Sequence, residues 1–173
     1  MQVTTFQLDK CANDADLADD CNAEGQCTVY RYPRRLEDAA DEVMLPDVFA
    51  RSTTLLTFDR SIIEDNPGAI VAPNPGIIVI QKMKPHPPLT AHRAKGIIGQ
   101  AKQRIPSWTN IDWSMVYAEI NEEEIYVCPL VDADISKGRP FRIASEAVDA
   151  EVREYIAGIH ESLGRLGPSD NAQ

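Results

Sequence analysis

Two aspartates stand directly after stretches whose composition is typical of β-strands. Asp9 follows Phe6-Gln7-Leu8, and Asp59 follows Leu55-Leu56-Thr57-Phe58. If both stretches are parallel strands of one sheet, their carboxyl ends lie along one edge, where α/β proteins form ligand crevices. Carboxylates that share a crevice repel each other unless a divalent cation offsets their charge. Oxygen ligands suit Mg²⁺ or Mn²⁺, and such an ion can promote the hydrolysis of phosphodiesters.

Further acids could complete this cluster. Asp38 and Asp41 are three residues apart, so they share one face of a predicted helix. Asp65 comes six residues after Asp59. Aspartates at strand ends also serve as turn formers and helix caps, so a purely structural role is the simpler alternative.

The aspartates need a sheet that brings them together, and hydrophobic patterning predicts one. β-branched and apolar runs predict strands at Val3 to Leu8, Cys27 to Tyr32, Thr53 to Phe58 and Gly76 to Gln81. Caps and helical spacing predict helices at Asn13 to Ala23, Leu36 to Ala50 and Thr90 to about Ile105, with Pro46 breaking the second. Strands that alternate with helices indicate an α/β three-layer sandwich around a mainly parallel sheet.

The second half of the chain has a different pattern. The stretches Met115 to Ile120 and Glu124 to Leu130 predict an antiparallel hairpin at the sheet edge, and Ser145 caps a following amphipathic helix. We therefore predict one domain over residues 1–166, with an extension from about residue 85 and a flexible tail over 167–173.

The first half of the chain resembles the PIN-like domains. The resemblance covers about residues 3–82 and is closest to the compact type, with Thr57-Phe58-Asp59 as its Thr-x-Asp signature and Gly76-Ile77-Ile78 as the strand that follows. In PIN proteins, three or four acids bind Mg²⁺ or Mn²⁺ and cut RNA, and many members are toxins of bacterial toxin–antitoxin pairs. The compact signature often has an acid two residues after its aspartate, where this chain has Ser61.

The resemblance implies roles for particular acids. It assigns Asp9 and Asp59 to the metal site, together with Asp41, which stands sixteen residues before Thr57. Asp38 and Asp47 compete with Asp41 for that middle position, and Asp38 is the further candidate metal ligand. Asp65 is the further candidate catalytic acid, because it would have to substitute for the acid missing at Ser61.

The net charge of -10 conceals a basic segment. Residues 66–110 carry six basic and no acidic side chains, whereas residues 1–65 carry 6 and 14, and residues 111–173 carry 5 and 13. Within the basic segment, Lys95 and Lys102 are seven residues apart and share a helix face, along which a phosphate backbone could lie. A solvated face, or a surface for an acidic protein partner, is the alternative. Further candidates for substrate phosphate contacts near the predicted edge are Arg34, Arg35 and Arg60.

Three functions compete at this stage. The first is a metal-dependent ribonuclease with RNA as substrate, which could be the toxin of a toxin–antitoxin pair with an antitoxin as partner. The second is a PIN-like module without catalysis that binds a protein partner or forms a homodimer. The third is a phospho-receiver, suggested by Lys84-Pro85, but only about 25 residues separate Asp59 from Lys84, too few for that fold.

The sequence also indicates the cellular compartment and argues against a zinc site. The longest apolar run is far shorter than the roughly 18 residues of a membrane span, and the N-terminus has no secretory pattern, so we expect a cytoplasmic protein with no membrane contact. The four cysteines and three histidines lack the spacing of a zinc site. Free thiols are expected, and a disulfide from Cys11 to Cys21 or Cys27 is the alternative.

Overall fold

The chain folds around one mixed β-sheet with helices on both sides. The computed structural model describes residues 4–22, 28–36, 39–69, 73–81, 89–133, 142–143 and 148–165. The strands are β1 (Thr5–Leu8), β2 (Thr28–Tyr30), β3 (Thr54–Thr57), β4 (Ile77–Ile80), β5 (Val116–Ile120), β6 (Ile125–Pro129) and β7 (Arg142–Ile143). They lie in the order β2-β1-β3-β4-β5-β6-β7. All pairs from β2 to β5 are parallel, and β6 pairs antiparallel with β5 and β7.

Helices cover both faces of the sheet. The helices are α1 (Ala15–Asn22), α2 (Asp41–Ala50), α3 (Ile62–Asp65), α4 (Ala91–Arg104) and α5 (Val148–Arg165). One apolar cluster joins Leu56 and Ile78 to α1, α4 and α5. A second cluster joins Leu55 and Ile77, which point to the opposite face, to α2 and α3. The predicted three-layer α/β sandwich with a C-terminal antiparallel hairpin and helix is therefore confirmed.

The composition of β3 and β4 follows from these two layers. Every residue of both strands is buried, as expected of parallel strands covered on both faces. Burial of each Ile or Leu side chain contributes about 2 kcal/mol. The sheet therefore places the ends of β3 and β4 rigidly, whatever loops follow them.

The prediction for the segment around Pro46 was wrong. We expected a helix from Leu36 that breaks at Pro46, but α2 begins at Asp41 and runs through Pro46 without interruption. Proline removes one helical hydrogen bond, yet Met44, Leu45 and Val48 of α2 are fully buried, and their packing keeps the helix continuous. Upstream of α2, Arg34–Leu36 forms a 3-10 helix instead.

Some elements were not predicted, and some predictions fall outside the described residues. The strand β7 lies outside β6, so the predicted hairpin is not the edge of the sheet. The proposed cap Ser145 and the tail over 167–173 lie outside the described residues. Among the helices that are described, none is both long enough and apolar enough to span a bilayer.

The strand order creates a crevice at one particular place. The chain goes from β1 to β2 on one side of β1 and then returns to form β3 on the other side. Doubly wound sheets bind their ligands where the strand order reverses in this way, just beyond the carboxyl ends of the strands. In this sheet that position lies between β1 and β3, which are the strands that precede Asp9 and Asp59.

The opposite, amino edge of the sheet contains a cavity and one close backbone contact. A cavity of about 520 Å³ lies there, lined by residues that include Thr54, Asn74 and Trp113. Gly76 enters β4 with φ of +96°, and a Cβ at this position would lie 2.1 Å from the Trp113 carbonyl oxygen. Only glycine satisfies both the backbone angle and the close contact.

Gly76→Ala should therefore destabilise the fold. We expect the free energy of unfolding to fall by at least about 2 kcal/mol, from backbone strain and the clash with Trp113. Gly96→Ala is the matched control, because nothing lies within 4 Å of its added Cβ; in the middle of α4 it should stabilise by about 0.5 to 1 kcal/mol. Urea denaturation of the two variants checks this, and equal stability would contradict the assignment.

Candidate functional site

The carboxylate of Asp9 is fixed at the end of β1. Asp9 is 5 % exposed, and its Oδ1 accepts a hydrogen bond from the backbone N–H of Lys10 at 2.6 Å. Its Oδ2 accepts the hydroxyl of Thr57 at 2.6 Å. Because Thr57 is the last residue of β3, this bond connects the carboxyl ends of the two strands that border the crevice.

Thr57 also shapes the turn that carries Asp59. Its Oγ1 accepts the backbone N–H of Asp59 at 2.9 Å while the same hydroxyl donates to Asp9. The Oδ1 of Asp59 then accepts the N–H of Ser61 at 2.8 Å. One threonine hydroxyl therefore fixes the spacing between the two aspartates that the sequence identified.

Asp65 returns to the same place through α3. The Oγ of Ser61 lies 2.9 Å from Asp59 Oδ1 and 2.6 Å from Asp65 Oδ2. A hydroxyl has one proton to donate, so Ser61 bridges the two carboxylates and satisfies one at a time. The position at which the PIN-like pattern often has an acid thus holds a serine that contacts Asp65.

Asp41, at the start of α2, belongs to the same electrostatic cluster. Its pKa is raised above the ordinary 3.8, first by burial and next by the negative charge of Asp9, with smaller contributions from Asp59 and Asp65. A long hydrogen bond of 3.5 Å from Asn66 Nδ2 partly opposes the rise. Four predicted carboxylates therefore interact at one edge of the sheet. We call Asp9, Asp41, Asp59 and Asp65 the acidic cluster.

Asp47, another candidate for the middle acid, pairs with arginines and not with the acidic cluster. Asp47, one and a half turns along α2, accepts two hydrogen bonds from Arg35 Nη2 and forms an ion pair with Arg51 at 3.2 Å. The contact with Arg35 is the main reason that the pKa of Asp47 is lowered. Asp38 lies outside the described residues.

The acidic cluster fits a hard divalent cation in the chemistry of its donors. Carboxylate oxygens and the nearby amide of Asn66 are the ligand types that Mg²⁺ and Mn²⁺ prefer. Within the described ranges, however, no three His, Cys, Asp or Glu side chains are already arranged to hold a metal ion. Metal binding would therefore require a rearrangement of these side chains, including release of the hydrogen bonds from Ser61 to Asp59 and Asp65.

The basic candidates are distributed unequally around this edge. Arg60 directly follows Asp59, and its Nε donates to Glu119 at 3.3 Å. Arg34 is exposed just after β2, whereas Arg35 pairs with Asp47. These three arginines lie on the segments that follow β2 and β3.

The two candidate lysines lie on the other layer. Both Lys95 and Lys102 belong to α4, which packs on the sheet face opposite α2. Because α4 returns from the carboxyl end of β4 to the amino end of β5, Lys102 lies about 10 Å further from the carboxyl edge than Lys95. Arg60 is therefore the neighbour of Asp59 in the chain, whereas Lys102 lies on the other layer of the fold.

Sequence reasoning missed Cys11 as a neighbour of the cluster. Its Sγ lies 3.3 Å from Asp9 Oδ2 and accepts the backbone N–H of Phe58 at 3.3 Å. Burial, and secondly the charge of Asp9, raise the pKa of Cys11 to about 11. Cys11 and Cys128 are free thiols. Cys11 is therefore protonated at neutral pH and is unsuited to act as a nucleophile, which requires a thiolate.

Tyr32 and Glu119 were also missed. The pKa of Tyr32 is raised by burial and then by Asp9 and Asp41, so the negative potential of the cluster extends to this side chain. Glu119 lies on β5 and is 3 % exposed. A single Glu in a predicted strand indicates a solvent-facing position. Only the strand order shows that this Glu contacts Arg60.

Comparison with protein-family models, curated proteins and solved structures gives no match for this chain. The resemblance to PIN-like domains is therefore a hypothesis that rests on the residues quoted above.

The raised pKa of Asp41 predicts that this residue destabilises the fold. A folded state that holds a carboxyl proton more tightly than the unfolded chain loses stability as pH rises through that group's titration range. Asp41→Asn should therefore have a higher free energy of unfolding at pH 7 than Glu42→Gln. Glu42 is exposed and occupies the same first turn of α2, so both variants lose the same favourable interaction with the helix dipole.

The comparison should depend on pH. The difference between the two variants should shrink at about pH 3, below the ordinary pKa of both carboxyls, because Asp41 is then protonated in either state. Chemical denaturation at the two pH values measures this. A larger loss of stability at pH 7 in Asp41→Asn than in Glu42→Gln would show that Asp41 is not strained by its neighbours.

Proposed function

We propose that this protein is a metal-dependent nuclease of PIN-like type that hydrolyses RNA phosphodiesters, acting through Mg²⁺ or Mn²⁺ bound by Asp9, Asp41 and Asp59. The observation that carries the proposal is the link between Asp9 and Asp59 through the Thr57 hydroxyl at the switch point of the sheet. Burial, and then the charges of the neighbouring carboxylates, raise the pKa of Asp41 beside them. A fold that only needed turn formers would have no reason to bring Asp41 close to three other carboxylates. Perturbed carboxylates of this kind are typical of functional sites.

The carboxylates of the acidic cluster would have different roles in binding an ion. Asp9 is fixed by two hydrogen bonds of 2.6 Å and provides a rigid ligand. Asp41 lies at the start of α2, whereas Asp59 and Asp65 share the Ser61 hydroxyl and would release it to contact an ion. A bound Mg²⁺ or Mn²⁺ would supply activation of water and stabilisation of the leaving oxygen. Arg60, next to Asp59 in sequence, contributes positive charge for the phosphate.

A binding module without catalysis is the second candidate. It is favoured by one observation, namely that no three potential ligands are already arranged to hold a metal within the described part. In this case the acidic cluster, or the basic face of α4, would bind a protein partner such as an antitoxin, or a second copy of the chain. For both candidates we propose a cytoplasmic location.

The receiver hypothesis fits the structure less well. The order β2-β1-β3-β4-β5 is shared with receiver folds. However, Lys84 itself lies outside the described residues, and it follows β4 by four residues, before α4 and β5 begin. The lysine therefore comes one strand and one helix too early in the chain, as its spacing from Asp59 predicts.

The nuclease proposal predicts metal-dependent cleavage of single-stranded RNA. With Mn²⁺, wild-type protein should cleave a 5′-labelled RNA, and Asp59→Asn should reduce the rate at least about 100-fold. Asn keeps the Oδ1 that accepts Ser61, so the turn should survive. Glu64→Gln, an equal change of charge at an exposed residue of α3, should retain wild-type activity. Equal cleavage by Asp59→Asn and Glu64→Gln would overturn the proposal.

Metal binding tests the role of the acidic cluster, and RNA cleavage then separates the two candidates. If the acidic cluster binds the ion, Mn²⁺ should raise the melting temperature of wild-type protein and of Glu42→Gln, and should have a smaller effect on Asp41→Asn. A nuclease and an inactive metal-binding module would both show this shift, but only the nuclease cleaves RNA. The same shift in all three proteins would place the ion elsewhere.

A further inference from the structure

A buried carboxylate lies on β5 in the same row of the sheet as the acidic cluster. Glu119 pairs in register with Val79 of β4, and Val79 pairs with Thr57 of β3. Thr57 in turn binds Asp9. Burying a charged Glu is unfavourable unless it is paired and hydrogen-bonded. The position of Glu119 at the carboxyl edge therefore requires an explanation, and its contacts provide one.

The contacts of Glu119 lead to Arg60. Its Oε1 accepts the hydroxyl of Tyr117 at 2.7 Å and the Nε of Arg60 at 3.3 Å. Burial and the adjacent Glu119 carboxylate raise the pKa of Tyr117, so its hydroxyl stays protonated and donates at any physiological pH. The side chain of Glu119 is 4 % exposed and that of Arg60 is 42 % exposed. The ion pair thus has a buried anchor and an accessible cation.

Anchoring through Nε leaves the rest of the guanidinium available. In the part of the chain that the structure describes, the Arg60 guanidinium makes no other hydrogen bond. Its two terminal nitrogens form the fork that binds phosphate oxygens in a bidentate manner. Fixing Nε also removes rotamer freedom that binding would otherwise have to remove.

We propose that Glu119 and Tyr117 are positioning residues that hold Arg60 beside Asp59, so that its terminal nitrogens contact a phosphate of a nucleic-acid strand. This inference rests on the proposed nuclease function and extends it to phosphate recognition. The cation also offsets the repulsion between the acidic cluster and an approaching phosphate. Glu119 itself touches no substrate and acts only through Arg60.

The test is the affinity for a fluorescent single-stranded RNA, measured by anisotropy with Ca²⁺ in place of Mn²⁺. We expect Arg60→Gln to weaken binding about 10- to 100-fold, the range for a lost charge-assisted contact. Glu119→Gln should weaken it by a smaller factor of roughly 3 to 10, because Gln keeps an oxygen acceptor but lacks the negative charge that holds Arg60 in place. The double variant should bind no more weakly than Arg60→Gln alone, because the effects of two substitutions that act through one contact are not additive.

Matched variants exclude a general effect of charge or of folding. Arg51→Gln removes a cation that pairs with Asp47 after α2, toward the amino edge, and should bind RNA as the wild type does. Arg60→Lys keeps the charge without the fork and should recover only part of the affinity. Arg60→Gln removes a cation that pairs with the buried Glu119 and should unfold more easily, whereas the double variant should regain part of that stability.

The anchor has a signature that does not depend on RNA. In ¹⁵N spectra the Nε–H proton of Arg60 should exchange slowly in the wild type and faster in Glu119→Gln and Tyr117→Phe. If wild-type protein binds and cleaves RNA while Arg60→Gln and Glu119→Gln bind it like Arg51→Gln, the inference is overturned and the nuclease proposal stands. If wild-type protein neither binds nor cleaves RNA, the proposed function fails, and the phosphate contact fails with it.

Discussion

The hydrogen bond from the Thr57 hydroxyl to Asp9 Oδ2, 2.6 Å long, connects the ends of β1 and β3 where the strand order reverses. Both side chains are buried, so loss of this bond would remove one of the few hydrogen bonds that satisfy the Asp9 carboxylate. The same hydroxyl accepts the N–H of Asp59 and so sets the following turn. The spacing of the acidic cluster therefore depends on one side chain at the end of a buried strand.

The acidic cluster differs from the ion pairs seen in other described parts of the fold. Asp47 pairs with Arg35, and Glu122 pairs with Arg93. At the carboxyl edge, Asp41 is instead surrounded by negative neighbours. The packing of β3 and β4 on both faces supplies the stability that holds these carboxylates together. Perturbed carboxylates within a rigid scaffold are typical of functional sites.

The sequence predicted the fold class and the acidic cluster because both depend on local signals. Apolar runs that end in Asp9 and Asp59 mark the strand ends, and alternation with helices implies a parallel sheet. The sequence could not place Glu119 or Cys11, because their roles depend on which strands are neighbours and on the path of the chain after β1. The sequence also failed to predict that α2 continues through Pro46. The packing of the fully buried Met44, Leu45 and Val48 decides this, and local helix propensity does not.

The central claim is that the acidic cluster at the end of β1 and β3 binds a divalent cation. The most direct measurement is anomalous diffraction, at a wavelength chosen for manganese, from crystals grown with Mn²⁺. The account predicts one strong peak with carboxylate oxygens of Asp9, Asp41 and Asp59 at about 2.2 Å from the ion. No peak there, or Asp9 and Asp59 carboxylates held more than about 10 Å apart in the crystal, would contradict it, because one ion could not then contact both.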